Sequence, residues 1–428
     1  MEHDKFLHEK HINQNVRGLK QSATLQINEQ SNHLIGLGRK IYKLGLGQSP
    51  FPVPDIIVQS LRDNAEERDY LPVKGLPALR QAISGFYERH WGISYSIDNI
   101  IIGPGSKELL FLLQLVYYGE LIIPTPSWVS YAPQAKIIGR NISWVPTHKE
   151  NFWKLTPHEL DKICRQDPYR PRLLILNYPS NPTGYTYKKE ELEELAAVAR
   201  KYKLVLVSDE IYGMLDHDGD HQSISTFYPE GTIISGGLSK WCGAGGWRLG
   251  ALAFPHSLDW LANALAITAS ETFTSTSAPI QYAALAAFEP HPEIEDYLSR
   301  ARKILLLLGK KCNSILNKSG INNPDPHGGF YLFPDFSSYR DKLMARKIYD
   351  SEIMCKTLLE EKDVATLPGS EFGCSPFEFT LRLSYVNFDG KRAITAAKAE
   401  EVDEAFIEKY CGITLEAMEK MVDWFKEL

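Results

Sequence analysis

The middle of this 428-residue chain alternates short apolar runs with helical patterns. Continuous apolar runs that are too short to be helices are typical of strands buried on both faces. The longer amphipathic stretches between them predict helices, the clearest at 107–117 and 190–202. The predicted strands lie at 100–102, 121–123, 173–176, 204–207 and 232–234. This alternation predicts an α/β fold with a mostly parallel sheet sandwiched by helices.

The pattern changes from about Asp296 onwards, where strands become rarer and helices longer. The elements predicted there are helices at 300–316, at 349–361 and at the C-terminus, and strands at 329–333 and 381–384. We expect them to form a smaller α+β domain that includes the N-terminal segment. The predicted division is a large domain over residues 60–295 and a small domain made by residues 1–59 together with 296–428.

Polar residues follow the ends of three predicted strands. They are Asn177, Asp209 and a glycine-rich segment that contains Lys240 and Arg248. Because ligands bind at the carboxyl ends of strands in such sheets, we expect these residues to converge. A lysine amine can form a Schiff base with a carbonyl, and an arginine guanidinium suits a phosphate. A compound that carries both an aldehyde and a phosphate is pyridoxal phosphate.

Composition and charge argue against several other classes of protein. The net charge of −6 gives no reason to expect a nucleic acid or an anionic membrane as partner. No apolar run is long enough to span a bilayer, and the polar N-terminus lacks the apolar stretch of a secretory signal. The six cysteines are scattered without a CxxC pair, so neither a disulfide framework nor a metal site is expected. We therefore expect a cytoplasmic protein.

Three motifs occur along the chain in a fixed order: NYPSNPTG at 177–184, SDEIY at 208–212 and SGGLSKWCGAGGWRLG at 235–250. In these motifs the chain resembles the class I and II aminotransferases, which are fold-type-I pyridoxal-phosphate enzymes. The resemblance runs from about Tyr42 to the C-terminus. Within this family, the chain is most like the aspartate aminotransferases. The resemblance implies transfer of an amino group between an L-amino acid and a 2-oxo acid such as 2-oxoglutarate, with pyridoxal 5'-phosphate as cofactor.

The resemblance assigns catalytic roles to three residues. Lys240 would bind the cofactor aldehyde and then, once released, move the proton of the substrate α-carbon as a base. Asp209 would pair with the protonated pyridine nitrogen and keep the ring an electron sink. Tyr212, together with Asn181, would hold the phenolic oxygen of the ring and stabilise its anion.

The remaining cofactor contacts are implied for the ring face and the phosphate. Trp128 would stack on the ring, and Arg248 would hold the phosphate with Gly105 and Ser106 at a helix start. Many relatives have a serine three residues before the lysine, but this chain has Gly237, which puts cofactor affinity in doubt unless Ser239 or Ser235 compensates. Tyr70 would reach the phosphate in the neighbouring subunit, which implies a homodimer with shared active sites.

Substrate contacts are implied for a second set of residues, which includes Trp128 and Asn181. Arg382 would grip the α-carboxylate in a bidentate pair, and Gly47 would let the backbone approach the substrate closely. Lys107 resembles a lysine that meets the distal carboxylate of dicarboxylic substrates in one bacterial-type subgroup. A lysine there favours aspartate and glutamate by charge pairing. If Lys107 instead points to solvent, the pocket could suit aromatic or aliphatic amino acids.

Two alternatives share part of this sequence pattern. A pyridoxal-phosphate-dependent lyase would use the same cofactor residues, so the sequence separates it only weakly from a transaminase. A regulator with an aminotransferase-like domain would need an added DNA-binding domain, and about 45 residues before the scaffold are too few for one. We therefore expect an enzyme of amino acid metabolism.

Overall fold

The computed structural model describes residues 11–321 and 323–428. Its helices, numbered along the chain, are α1 (Ala23–Gly36), α2 (Asp55–Asp63), α3 (Pro77–Trp91), α4 (Ser106–Val116), α5 (Tyr131–Ile137), α6 (Pro157–Cys164), α7 (Lys189–Lys201), α8 (Asp259–Ser270), α9 (Ala278–Phe288), α10 (Pro292–Asn317), α11 (Arg340–Ala345), α12 (Ser351–Lys362), α13 (Gly390–Ala396) and α14 (Glu404–Lys426). Its strands are β1 (Tyr42–Lys43), β2 (Ile100–Gly103), β3 (Glu120–Thr125), β4 (Ile142–Pro146), β5 (Arg172–Asn177), β6 (Val205–Asp209), β7 (Thr232–Gly237), β8 (Gly250–Ala253), β9 (Tyr331–Leu332), β10 (Val364–Ala365), β11 (Leu367–Pro368) and β12 (Leu381–Ser384).

A seven-stranded sheet in the order β2-β8-β7-β6-β5-β3-β4 forms the centre of the large unit. The pairs β3–β4, β3–β5, β5–β6 and β6–β7 are parallel. Only β8 runs against its neighbours, β2 and β7. The predicted α/β architecture with a mostly parallel sheet is therefore confirmed.

Helices cover both faces of this sheet because its strands are apolar on both sides. Along β5, Leu173 and Ile175 pack into one buried cluster with α4 and α8. Their neighbours Leu174 and Leu176 pack into a second cluster with α7 on the opposite face. Successive side chains of a strand point to opposite faces, so a continuous apolar run fills both layers.

Smaller sheets are built from the two ends of the chain. Strands β11, β12 and β9 form an antiparallel sheet, and β1 pairs with β10 in parallel. The helices α10 and α14 pack beside them in one large apolar cluster. The pairing of β1 with β10 ties the segment before residue 60 to the C-terminal part, as the predicted small domain requires. The domain boundaries themselves stay a prediction.

Two strands of the large sheet were not predicted. β8 consists of glycine, alanine and leucine, which carry little of the β-branched signal that marks a strand. β4 is an edge strand in which Trp144 is 43% exposed, so its apolar pattern is interrupted. Within the described residues, no helix is both long enough and apolar enough to cross a membrane.

Candidate active site

The carboxyl ends of β5, β6 and β7 open onto a cavity of about 400 Å³. Most of the residues singled out in the sequence lie on its wall. Those residues are Gly47, Ser106, Lys107, Trp128, Asn181, Asp209, Tyr212, Ser239, Lys240 and Arg248. They come from distant parts of the chain, and the parallel strands bring them to one edge of the sheet.

Lys240 lies just beyond β7, and its amine is enclosed by protein. Its Nζ donates a hydrogen bond to the carbonyl oxygen of Gly47 at 2.7 Å. Burial lowers the pKa of the Lys240 ammonium to about 8, and the nearby positive charge of Arg382 acts in the same direction. The neutral, nucleophilic amine is therefore accessible near neutral pH, which suits a lysine that attacks a carbonyl.

Asp209 ends β6 and points a carboxylate into the cavity. The hydroxyl of Tyr131 donates to its Oδ2 at 2.6 Å, whereas its Oδ1 is buried without a hydrogen-bond partner. Burial raises the pKa of the Asp209 carboxyl to about 6, and the Tyr131 hydrogen bond offsets part of this effect. The unpartnered oxygen can accept a hydrogen bond from a protonated ring nitrogen. The positive charge of that nitrogen would also keep the carboxylate ionised.

The NYPSNPTG motif is tied to the end of β6 by Asn177. Its side-chain amide donates to the carbonyl oxygen of Asp209 at 2.8 Å, and its Oδ1 accepts from the backbone amide of Asn181 at 2.8 Å. Asn177 therefore fixes the positions of both Asp209 and Asn181, which the resemblance assigns to the ring nitrogen and the phenolic oxygen of the cofactor. Asn177 itself lines the cavity.

Tyr212 lies beside Lys240, whose Nζ is 5.5 Å from the centre of its ring. The Tyr212 hydroxyl is 2.7 Å from the hydroxyl of Tyr331, and either can donate to the other. Burial raises the pKa of Tyr212 well above its ordinary value, so this hydroxyl stays protonated. It is thus available as a hydrogen-bond donor to an anionic oxygen.

The other end of the cavity is suited to an anion. Ser106 begins α4, whose first backbone amides have no partner within the helix. Gly105 precedes it with φ 94°, and a side chain there would collide with the guanidinium of Arg248, 2.4 Å from the added carbon. Arg248 is held by the carbonyl oxygens of Gly245 and Pro104 at 2.9 and 3.2 Å. The helix start and the guanidinium therefore form one phosphate-sized cradle.

The glycine that replaces the usual serine sits where a side chain would not fit. Gly237 pairs with Gly250 across β7 and β8. A Cβ at Gly237 would lie 2.7 Å from the carbonyl oxygen of Leu249. Ser239 lines the cavity, whereas Ser235 is buried and its hydroxyl has no partner. Ser239 is thus the serine that can compensate at the cavity wall.

Lys107 lies at the mouth of the cavity, where it is partly exposed. Its Nζ is 5.6 Å from the centre of the Trp128 ring. Burial, and then the charge of Arg248, lower the pKa of Lys107 below its ordinary value. The Lys107 side chain is exposed, lines the cavity and lies over the ring predicted to stack on the cofactor.

Arg382 is 1% exposed and is not itself on the cavity wall. Its Nη1 donates to Oδ1 of Asn181 at 3.1 Å, its Nη2 donates to the carbonyl oxygen of Gly45, and its Nε is buried without a partner. Arg382 therefore lies directly behind Asn181, which is on the cavity wall, and some of its hydrogen-bond donors are unused. Tyr70 is 90% exposed and contributes nothing to the cavity of its own chain.

Several residues of the wall were not predicted. Tyr131 is one of them and lies three residues after the predicted site residue Trp128, whereas Asn177 was expected at this edge. Gln48 directly follows Gly47, and Ile211 directly precedes Tyr212. Tyr331 lay in a predicted strand of the C-terminal part, and nothing local distinguished it as a partner of Tyr212.

The residues present fit pyridoxal phosphate. The buried, unpartnered Oδ1 of Asp209 offers an acceptor for a protonated pyridine nitrogen. Lys240 supplies an amine of lowered pKa for the aldehyde. The start of α4 and Arg248 supply donors for the phosphate. Each functional group of the cofactor thus finds a chemically matched group on one wall.

Comparisons with known proteins agree with this geometry. The family model described as aminotransferase class I and II matches residues 32–397. The chain is 34% identical to the aspartate aminotransferase of Geobacillus stearothermophilus, over 86% of this chain and 93% of that protein. It is 32% identical to the asparagine–oxo-acid transaminase of Streptococcus mutans serotype c, over 93% and 99%. The solved structure of aspartate aminotransferase from Thermus thermophilus with maleate has a TM-score of 0.83 at 27% identity, over 96% and 99%.

The match covers most of the chain and includes both the large sheet and the C-terminal strands. The shared fold places the strand ends that form the cavity, and the cavity offers a matched group for each part of the cofactor. The chain therefore belongs to the class I and II aminotransferases and is a pyridoxal-phosphate-dependent enzyme of the aspartate aminotransferase type.

Proposed function

We propose that the enzyme transfers the amino group of L-aspartate or L-glutamate to a 2-oxo acid such as 2-oxoglutarate. The observation that supports this choice is Lys107, whose ammonium lies over the Trp128 ring at the mouth of the cavity. A second carboxylate on the substrate would meet this positive charge. The names of the curated relatives, aspartate aminotransferase and asparagine–oxo-acid transaminase, support an acidic substrate or its amide.

Bound pyridoxal phosphate supplies an electron sink for the charge that develops at the substrate α-carbon. In the proposed mechanism Lys240 first holds the aldehyde carbon and, once displaced by the substrate amine, takes the α-proton on its Nζ. The low pKa of the Lys240 amine suits it as a base near neutral pH. The carbonyl oxygen of Gly47 holds this amine in place between the two tasks.

The other cavity residues orient the cofactor and the substrate. We propose that Asp209 keeps the ring nitrogen protonated and that Tyr212 and Asn181 donate to the phenolic oxygen. Ser106, Ser239 and Arg248, with the backbone at Gly105, would hold the phosphate, and Trp128 would cover the ring face. Arg382 would bind the α-carboxylate with its unused donors: its Nε–H has no partner, and Nη1 and Nη2, which donate to Asn181 and Gly45, each have a second hydrogen.

A donor screen with 2-oxoglutarate as acceptor tests the proposed reaction. Aspartate should yield oxaloacetate and glutamate in equal amounts. Release of pyruvate, ammonia and sulfide from cysteine would instead indicate a carbon–sulfur lyase, which shares this cofactor site. A preference for phenylalanine or tyrosine over aspartate would favour the alternative of an aromatic amino acid aminotransferase.

Replacing Lys107 with alanine should raise KM for aspartate by up to about fivefold, because a charge pair at an exposed lysine contributes up to about 1 kcal/mol. KM for an aromatic donor should change less than about twofold, since it has no second carboxylate. The measurement is steady-state kinetics with both donors. Lys136→Ala, which removes an exposed lysine away from the cavity, is the matched control. Equal losses for both donors in Lys107→Ala would argue against charge selection.

We further propose a cytoplasmic homodimer in which Tyr70 enters the partner's cavity. The support is the 90% exposure of Tyr70 in the single chain, which leaves its side chain accessible to a partner, and the six free cysteines suit a reducing compartment. Tyr70→Phe should weaken cofactor binding about fivefold without changing the dimer, as one phosphate hydrogen bond is lost. Sedimentation as a monomer at micromolar concentration would contradict the shared site.

We also propose that the chain divides into a large domain over residues 60–295 and a small domain made by residues 1–59 together with 296–428.

A further inference from the structure

Tyr331 connects groups that the mechanism assigns to different tasks. It lies on β9, is 1% exposed and does not line the cavity. Its hydroxyl is 2.7 Å from the hydroxyl of Tyr212. The guanidinium of Arg382 lies over the Tyr331 ring, with its central carbon 4.8 Å from the ring centre. One buried side chain therefore contacts both the proposed partner of the phenolic oxygen and the proposed partner of the α-carboxylate.

The position of Tyr331 is fixed from three directions. β9 pairs with β12, which carries Arg382, and the register sets Tyr331 opposite Ser384. A Cβ on Gly47 would lie 2.1 Å from the Tyr331 hydroxyl oxygen, so only glycine leaves room for this hydroxyl. The same Gly47 accepts the hydrogen bond from Lys240. The hydroxyl is thus confined between the Gly47 backbone and Tyr212.

The direction of the hydrogen bond between the two tyrosines follows from their surroundings. The Tyr212 hydroxyl must donate its proton to an anionic oxygen in the cavity. Towards Tyr331, the Tyr212 oxygen can therefore only accept a hydrogen bond. Burial raises the pKa of both phenols, but that of Tyr331 less than that of Tyr212, since the Arg382 guanidinium over its ring offsets part of the effect; Tyr331 is therefore the better donor. A donor that receives a hydrogen bond on its own oxygen donates more strongly.

We propose that Tyr331 is a positioning residue that donates to the Tyr212 oxygen and thereby strengthens the hydrogen bond that Tyr212 gives to the phenolic oxygen of the cofactor. This inference rests on the proposed role of Tyr212. Loss of the Tyr331 hydroxyl weakens the donor and leaves more negative charge on the phenolic oxygen. That charge raises the proton affinity of the nitrogen that joins Lys240 to the cofactor.

The charged and titratable groups that act on Tyr212 come from several elements. They are Tyr331 on β9, Arg382 on β12 and Asp209 at the end of β6, together with Lys240 beyond β7 and Tyr131 at the start of α5. Of these, Tyr331 is the one whose hydroxyl contacts the Tyr212 hydroxyl, and it can be changed by one hydroxyl without removing a charge. A substitution of Tyr331 by phenylalanine therefore isolates the hydrogen bond.

The experiment follows the visible absorbance of the lysine-bound cofactor in the holoenzyme as a function of pH. Tyr331→Phe should raise the pH midpoint of the absorbance change by about half a unit, the size of one neutral hydrogen bond. Tyr212→Phe should raise it by about one unit or more. The double variant should match Tyr212→Phe, because Tyr331 acts through Tyr212. Tyr228→Phe, which also removes a buried hydroxyl hydrogen bond but lies in the cluster on the other sheet face, should leave the midpoint unchanged.

The outcomes distinguish a failure of the role proposed for Tyr331 from a failure of the role proposed for Tyr212. An unchanged midpoint in Tyr331→Phe, or a full shift that persists in the Tyr212→Phe background, overturns the role of Tyr331. An unchanged midpoint in Tyr212→Phe overturns the role of Tyr212 and the inference with it. If Tyr331→Phe does not fold, 3-fluorotyrosine at position 331 is used, since its more acidic hydroxyl should lower the midpoint. A raised or unchanged midpoint there overturns the inference.

Discussion

Replacing Lys240 with alanine should abolish the visible absorbance of the lysine-bound cofactor and lower transamination by at least about four orders of magnitude. The substitution removes both the covalent attachment and the base that moves the α-proton, and either loss alone is severe. Among the described residues that line the cavity, the other lysine is Lys107, which is exposed. The measurements are the absorbance spectrum after addition of cofactor and the rate of oxaloacetate formation from aspartate.

Lys240→Arg is the matched control for this prediction. Arginine keeps the positive charge near Gly47 but cannot attack an aldehyde as a neutral amine near neutral pH, because its pKa stays far above that of lysine. The arginine variant should therefore be as inactive as the alanine variant while retaining more cofactor by charge. Transamination at more than about 1% of the wild-type rate in either variant would contradict the assignment of Lys240.

Replacing Asp209 with asparagine should lower kcat by about a thousandfold. Asparagine has nearly the same shape, so the loss reports the missing charge opposite the ring nitrogen and not a change of packing. Asp209→Glu keeps the charge but displaces it, and should recover only part of the rate. The measurement is single-turnover formation of the oxo acid with saturating aspartate. A loss of less than about tenfold in Asp209→Asn would show that the ring nitrogen needs no charged partner.

The cofactor-free protein offers an independent check on this carboxylate. Burial raises the pKa of Asp209 to about 6, above the ordinary value near 4. The folded state thus binds this proton more tightly than the unfolded state, and folding stability falls as the pH rises from about 4 to 7. Relative to Asp209→Asn, the cofactor-free wild type should lose up to ~3 kcal/mol over that window, measured by urea denaturation. Equal pH dependence in both proteins would contradict the raised pKa.

The fold was predictable where continuous apolar runs mark strands that are buried on both faces. The runs before Asn177 and Asp209 became β5 and β6, and their parallel pairing brings both residues to one edge. β8 escaped prediction because its glycine, alanine and leucine carry little strand signal, and Gly250 is required by the start of α4, where an added Cβ would lie 2.2 Å from the Ser106 backbone nitrogen. That requirement comes from a distant part of the chain and leaves no periodic signal along β8 itself.

The site was predictable to the extent that its residues belong to compact motifs. Lys240 and Arg248 are eight positions apart and were found together, and the cavity contains both. Tyr331 is 119 residues from Tyr212, and only the pairing of β9 with β12 brings it there. The resemblance indicated that Arg382 binds substrate, but it could not indicate that the guanidinium would lie behind Asn181. Contacts of this kind depend on how two parts of the chain pack.

The stretch from Gly45 to Gly47 contacts two cations through its backbone alone. The carbonyl oxygen of Gly45 accepts from Arg382, and that of Gly47 accepts from Lys240. Since every residue type has the same carbonyl, side-chain replacement cannot remove either acceptor. What this stretch must conserve is its spacing: deleting or inserting a single residue would misalign both acceptors at once. An insertion or deletion in this stretch should therefore be as damaging as a substitution of Gly47, which the close approach of the Tyr331 hydroxyl excludes.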